Sequence, residues 1–415
     1  MKPIARTQYL SYASLALPMA FASIPLYLYT PDFYATRYQL SLSFMGMALL
    51  FLRLIDALQD PLIGYLSDRY PRHRVPAMFM AAGLLCVGFY GLYHPLTDAY
   101  TFWFVLGLFI STTAYSVVTI NLNAIGGVWS DDHQQKLRIV GTREIFALFG
   151  VITAVFMPHI FAQQPNPYTL TSIVLTGLVG FGIWQFYQWQ RQQPWLQALP
   201  PRTTTGVIQA WKVAPNIRWF FGIYLISMLA SSIPGVLVVF FIRDRLQLEA
   251  YTGLFLAVYF ISAMLSIPLW QAVAKRFGYA STWWYSMVLA IGFFIWAYAL
   301  DANDFWPYLM ICVLSGMALG AEILLPPTLL ADYIHQAHEQ MQASFLFSLL
   351  TFIGKLCLAL AIAVSFLWLD AVDFVPQGAN DADTLHRLSI NYALVPCILK
   401  AIAAAWLFRY RHAQS

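Results

Sequence analysis

Arg53, Asp56, Asp60, Arg143, Glu144, Glu322, Lys355 and Lys400 stand inside stretches that are otherwise apolar. If those stretches cross a bilayer, each Asp, Lys or Arg at the middle costs roughly 2.5–3.5 kcal/mol. Such groups therefore face a bundle interior or water, and usually mark a pathway. Asp56 and Asp60 are four residues apart, on one face of a helix. Two acids at that spacing can hold a monovalent cation between their oxygens. They can also share one proton, because both resist ionising together in a low dielectric. Pro61 follows and removes a backbone donor, leaving the carbonyl one turn earlier open to a ligand. The competing reading is a structural ion pair of either acid with Arg53 or Lys355. Glu322 lies mid-stretch before Pro326-Pro327, which should bend or break the helix. It could pair with Lys355 or act as a second protonatable group. Arg143 and Lys400 fall near stretch ends, where a long side chain can reach the interface.

Other motifs carry less chemistry. His335, His338 and Glu339 do not have the spacing of a zinc helix and read as a solvated loop. Gly316 and Gly320 are four residues apart on one helical face, a Gly-x-x-x-Gly pattern of close packing within a bundle. The four cysteines, Cys86, Cys312, Cys357 and Cys397, all lie in apolar runs, without metal-ligand spacing, and read as packing residues.

The elements that hold these groups follow from composition. Of 415 residues, 60% are hydrophobic, 17% aromatic and 10% charged, against roughly 25% charged in a soluble domain. With 23 Lys+Arg and 19 Asp+Glu the chain cannot clothe a soluble fold of this length, so a secreted domain, a cytosolic enzyme and a disordered scaffold are excluded. Twelve apolar runs of the length a bilayer needs can be marked. The first six are near Leu10–Tyr29, Leu40–Tyr65, Val75–Tyr93, Tyr100–Asn121, Ile139–Phe161 and Leu170–Trp189. The second six are near Trp219–Ile242, Tyr251–Val273, Thr282–Leu300, Phe305–Leu330, Ser344–Leu369 and Leu388–Phe408. The first run is too long for a signal-peptide core and should stay as a span. A polar connection divides the chain into an N-terminal half (1–190), a central loop (191–218) and a C-terminal half (219–415). Basic residues gather on one side: Lys2, Arg69, Arg72, Arg74, Lys136, Arg138, Arg202, Lys212, Lys275, Arg276 and Arg409 among them. Basic loops stay in the cytoplasm, which puts both termini and the central loop inside.

Six plus six helices with both termini inside resembles the layout of the major facilitator superfamily. Gly64-Tyr65-Leu66-Ser67-Asp68-Arg69, with Arg72 and Arg74, resembles its signature loop between spans two and three. By that likeness Gly64 allows close helix approach, and Asp68, Arg69 and Arg72 latch the cytoplasmic face. Lys275-Arg276-Phe277-Gly278 is a worn copy in the second half, as a parallel repeat predicts. Arg-x-x-Asp-Ala-x-x-Asp-Pro, Arg53 to Pro61, is similar to the cation helix of the glycoside–pentoside–hexuronide:cation symporters, the melibiose permease branch. Tyr115-Ser116, Asp131-Asp132 with Arg138 and Arg143, Pro326 to Asp332, and Lys355 also match that family. The likeness implies Asp56, Asp60 and Ser116 as cation ligands and Lys355 as the link between cation and substrate. Three departures stand out. The first run has no acid before Asp32, and Thr119 stands where the family has its second sugar-gripping acid, with Asn123 at the place of a sugar-stacking aromatic.

The expected fold is therefore all-α and polytopic, with twelve transmembrane helices in two six-helix halves. The expected function is cation-coupled symport of a small organic solute by alternating access, with Na⁺ or H⁺ as the coupling ion and no other cofactor. The family implies a sugar-like substrate, and Thr119, Asn123, Arg143 and Glu322 are expected to line its cavity. The alternative is a lysophospholipid or similar lipid, since animal sodium-dependent lysophospholipid symporters of the same branch keep the paired aspartates and the lysine without the sugar acids. A non-transporting receptor would not need Asp56, Asp60 and Lys355 together. An enzyme is not expected, because no nucleophile–base pair or metal cluster falls within the runs. The expected partners are the substrate and the bilayer of the cytoplasmic (inner) membrane, with no nucleic acid, and the chain is expected to be a monomer.

Overall fold

Burial pattern, more than hydrophobicity alone, separates the working faces of these helices from their lipid faces. The second span shows it best. In the helix Leu42–Arg69, Leu54, Leu58 and Leu62 are 53–61% exposed, while Asp56, Asp60, Gly64 and Asp68 are buried on the opposite side. A four-residue step advances a helix by only a small angle, so the polar stripe turns inward along its whole length. The leucines form the exposed side.

The computed structural model describes residues 4–161, 167–198, 215–336, 343–375, 378 and 380–413. Most of the central loop, with Arg202 and Lys212, lies outside the described residues, as do Lys2, His338 and Glu339. Eleven described helices are long and apolar enough to cross a membrane. The Leu42–Arg69 helix, 28 residues, falls within their range of lengths; its charges dilute its apolar run. Together they make twelve spans among the described residues.

Helices extend past the apolar runs that mark them. The tenth span is one helix, Phe305–Gln336, with Pro326 and Pro327 inside it, so of the two outcomes expected of the double proline, a bend or a break, the break does not occur. A membrane bundle tolerates such prolines because neighbours re-satisfy the freed backbone groups. The first span is interrupted instead. Helices Arg6–Ala13 and Ala16–Ile24 lead into a π turn, Pro25–Tyr29, and then Thr30–Tyr38. The Pro25 carbonyl accepts from Thr30 Oγ1 (3.0 Å) and Tyr93 Oη (3.2 Å).

Packing divides the chain into two compact units. One is Met1–Ala210 with Ile334–Phe352, and the other is Trp211–Tyr333 with Ile353–Ser415. In the first, Tyr12 packs between Trp129 and Trp189, each 5.3 Å away between ring centroids, and its hydroxyl donates to the Leu122 carbonyl at 2.6 Å. In the second, Gly316 and Gly320 let the tenth span lie against the eighth, Thr252–Phe277. A Cβ on Gly320 would come within 2.5 Å of the Ala263 carbonyl oxygen. Trp270 Nε1 and Ser266 Oγ both donate to the Met317 carbonyl there, at 2.7 and 3.1 Å.

Candidate functional site: paired carboxylates and charged clusters

Asp56 and Asp60 are 3% and 0% exposed. Ser116, from the fourth span (Tyr100–Val128), donates to Asp56 Oδ1 at 3.1 Å. Gln59 Nε2 donates to the same oxygen at 3.1 Å, and its own Oε1 accepts from Thr113 Oγ1 at 3.0 Å. Tyr27 Oη donates to Asp56 Oδ2 at 3.3 Å. Tyr27 belongs to the π turn of the first span, and such turns favour functional positions. The Arg53 guanidinium sits 4.5 Å from the centre of the Tyr27 ring. Three helices thus converge on one carboxylate with hydroxyl and amide groups. These can hold a carboxylate without neutralising it, and their oxygens can coordinate a small cation.

Further along the fourth span, Thr119 turns its hydroxyl back to the Tyr115 carbonyl at 2.8 Å, and Asn123 is half-buried. Ser116, Thr119 and Asn123 share one helical face by spacing. Arg143, in the fifth span (His133–Ile160), is buried rather than reaching the interface, and it pairs with its neighbour Glu144 through both Nε (3.0 Å) and Nη2. Lys355 is half-buried in the eleventh helix, Ala343–Ala371, and belongs to the second unit.

Asp68 is a junction within the first unit. Its Oδ1 meets Arg74 Nη2 at 2.9 Å, and its two oxygens accept the backbone N–H groups of Ser344 (3.1 Å) and Phe345 (2.8 Å). Those amides open the Ala343–Ala371 helix, whose N-terminus favours an anion. Gly64, one turn earlier, lies so close that a Cβ would overlap Ser348 Oγ and sit 2.6 Å from the Ser344 carbonyl oxygen. Arg69 is exposed, donating to Tyr65 Oη at 3.0 Å, and Arg72 is exposed in the turn Pro71–His73. The ion-pair partner of Asp68 is therefore Arg74, with a helix end as the second partner. Spacing alone hid the helix end, which is distant in sequence, and did not single out Arg74 from its neighbours.

Glu322 and Lys400 also depart from their sequence readings. Lys400 is 6% exposed and does not reach an interface. Its Nζ is 3.2 Å from Glu322 Oε2, 3.0 Å from Ser227 Oγ, 3.1 Å from the Ser227 carbonyl and 2.7 Å from Ser231 Oγ. Ser227 Oγ also donates to Glu322 Oε2 at 2.9 Å. The structure thus pairs Glu322 with Lys400, a partner that sequence reading had not offered it. Four oxygens are what let a lysine stay buried at a span end. His335 lies in the last turn of the Phe305–Gln336 helix rather than in a loop, and it pairs there with Asp131 at 3.0 Å, both about half exposed.

A family model described as MFS/sugar transport protein matches residues 11–412. An uncharacterized symporter of Bacillus subtilis, YnaJ, is 22% identical over 97% of this chain and 91% of its own. The inner membrane symporter YicJ of Escherichia coli is 24% identical over 92% of this chain and 86% of its own. The human sodium-dependent lysophosphatidylcholine symporter 1 is 25% identical over a shorter stretch, 45% of this chain and 35% of that one. Among solved structures, the Escherichia coli fucose:proton symporter has a TM-score of 0.69 at 12% identity, covering 97% of this chain and 98% of that one. A bacterial homologue of the iron transporter ferroportin, outward-facing, has 0.70 at 14%, covering 97% and 100%. These structures share the fold. A twelve-span bundle, charged residues turned inward and a family match over nearly the whole length agree: the chain belongs to the MFS/sugar transport protein family and is a membrane transporter.

Proposed function

We propose that this protein is a symporter that couples Na⁺ or H⁺ to a small organic solute by alternating access, with Asp56 and Asp60 as the cation site. The observation that carries the reading is the pair of buried carboxylates one turn apart, with Ser116, Tyr27 and Gln59 gathered on Asp56. A bound cation neutralises the acids and removes the cost of closing them away from water. Lys355 links cation occupancy to substrate, so each binding event favours the other to the same degree. Thr119, Asn123 and Arg143 line the solute's path in the first unit, and Glu322 does so in the second. Asp68, with Gly64, Arg69 and Arg72 around it, favours one access state without touching substrate. The protein works as a monomer in the cytoplasmic membrane with both termini and the central loop inside.

By family the solute is sugar-like. The lipid-like alternative is favoured by Thr119, which spends its hydroxyl on its own helix where a sugar-gripping acid would stand, and by the lysophosphatidylcholine symporter among the relatives. Counterflow in proteoliposomes, with radiolabelled glycosides in one arm and lysophospholipids in the other, separates the two. Exchange of either class that needs Na⁺ or a proton gradient supports the symporter reading. Exchange of a solute indifferent to both ions contradicts it.

A further inference from the structure

The second unit contains a cavity of about 230 Å³ walled by Phe255, Tyr259, Phe294 and Tyr308, with Ser231, Glu322 and Lys400 at its polar end. The wall is firm. Tyr308 Oη and Tyr392 Oη are 2.8 Å apart, and Tyr392 stacks on Phe241 with ring centroids 4.0 Å apart. Nothing in the cation site contributes to it: every lining residue belongs to the second unit.

The polar end can be inventoried. An ammonium has three protons, and Lys400 already faces four oxygens, so it has none to offer an anion. Glu322 uses Oε2 for Lys400 and Ser227, while its buried Oε1 has no hydrogen-bond partner among the described residues. Ser231 accepts from Lys400, which leaves its own proton to donate. What remains is one acceptor and one donor beside a neutralised charge pair. A hydroxyl group matches both. A charged ligand would bring an uncompensated charge into an apolar site, at a high cost.

We propose that this cavity is a binding site for a neutral, hydroxyl-ended apolar molecule, with its hydroxyl between Ser231 and Glu322 and its chain along the aromatic wall. An apolar cavity of about 150 Å³ takes up benzene, so the space here suits a chain of roughly eight carbons. The site is independent of the cation reading. It can serve as a pocket for part of the transported solute or as a separate site, and the ligand chemistry is the same.

The test uses the full chain in proteoliposomes and a photoreactive diazirine derivative of octanol, with adducts mapped by mass spectrometry. The proposal expects adducts on the residues facing the cavity, competed by 1-octanol but not by octanoate. Octane should compete roughly fivefold less well than octanol, the worth of one net hydrogen bond. Ser231→Ala should weaken octanol competition by a similar factor. Gly235 lines the cavity, and a Cβ there meets nothing within 4 Å. Gly235→Phe should therefore fill the space without straining the helix and abolish the cavity adducts. Adducts spread over lipid-facing side chains and unchanged by Gly235→Phe would overturn the proposal, as would octanoate competing as well as octanol.

Discussion

In the first unit, two acids of like charge stand one turn apart on a single helix, and hydroxyls from two other spans converge on Asp56 together with the Gln59 amide of its own helix. In the second unit, one acid and one base come from different helices, Glu322 and Lys400, and two serines of a third helix complete the pair. Both clusters are buried in a membrane bundle. They respond differently to protons and ions. Two adjacent carboxylates resist ionising together and so favour taking up a cation. A neutralised pair has no such demand, and it is strongly disturbed only when one member is removed. The first arrangement suits a site that fills and empties; the second suits a fixed polar wall.

The comparison can be broken most severely at Lys355. Lys355→Ala should reduce gradient-driven uptake to background while leaving cation binding in place or tighter, read by vesicle uptake alongside calorimetry. Retained coupled uptake would reduce Lys355 to a structural charge. The contrast in stability comes next. Glu322→Gln or Lys400→Met alone should cost about 3–5 kcal/mol, because each leaves the other charge buried without its partner. The double variant should recover most of that loss. Asp56→Asn should melt no lower than the unaltered protein, since it removes a desolvated charge. Thermal melts in detergent of these four proteins test the contrast directly, and a double variant no better than either single one would defeat it.

A comparable loss of stability is expected at Asp68, since Asp68→Ala removes a helix-end anion and also breaks the buried pair with Arg74, about 3–5 kcal/mol. In transport it should slow turnover and barely change equilibrium binding of substrate. Normal turnover with a large loss of affinity would place Asp68 on the substrate instead. Smallest of all, Tyr27→Phe deletes a single hydrogen bond to Asp56 and should shift cation affinity by about fivefold. No shift would remove the first span from the cation site.

How much of this could be read from sequence depends on distance along the chain. The spans and the Asp56–Asp60 stripe are local patterns, set by helical periodicity within one segment. Ser116 came from family likeness, and its hydrogen bond to Asp56 is now visible. Tyr27, Gln59 and Thr113 were missed because uncharged polar groups in aromatic-rich spans give no signal of their own. The π turn that holds Tyr27 has only Pro25 as its mark in the sequence. Lys400 was misread because a lysine near a span end usually reaches water. Only the fold brings Ser227, Ser231 and Glu322 around it. Arg74, next in line after Arg72, shows the same limit: three nearby arginines look alike until one is buried against Asp68.

The central claim is that Asp56 and Asp60 bind the coupling cation, and direct ion binding to purified protein tests it without knowledge of the substrate. Calorimetric titration with Na⁺, paired with proton release or uptake in weak buffer, should give a clear binding signal for the unaltered chain. Asp56→Asn and Asp60→Asn should each abolish it while melting as well as the parent. Full-strength ion binding in both variants would contradict the account and move the cation elsewhere in the bundle.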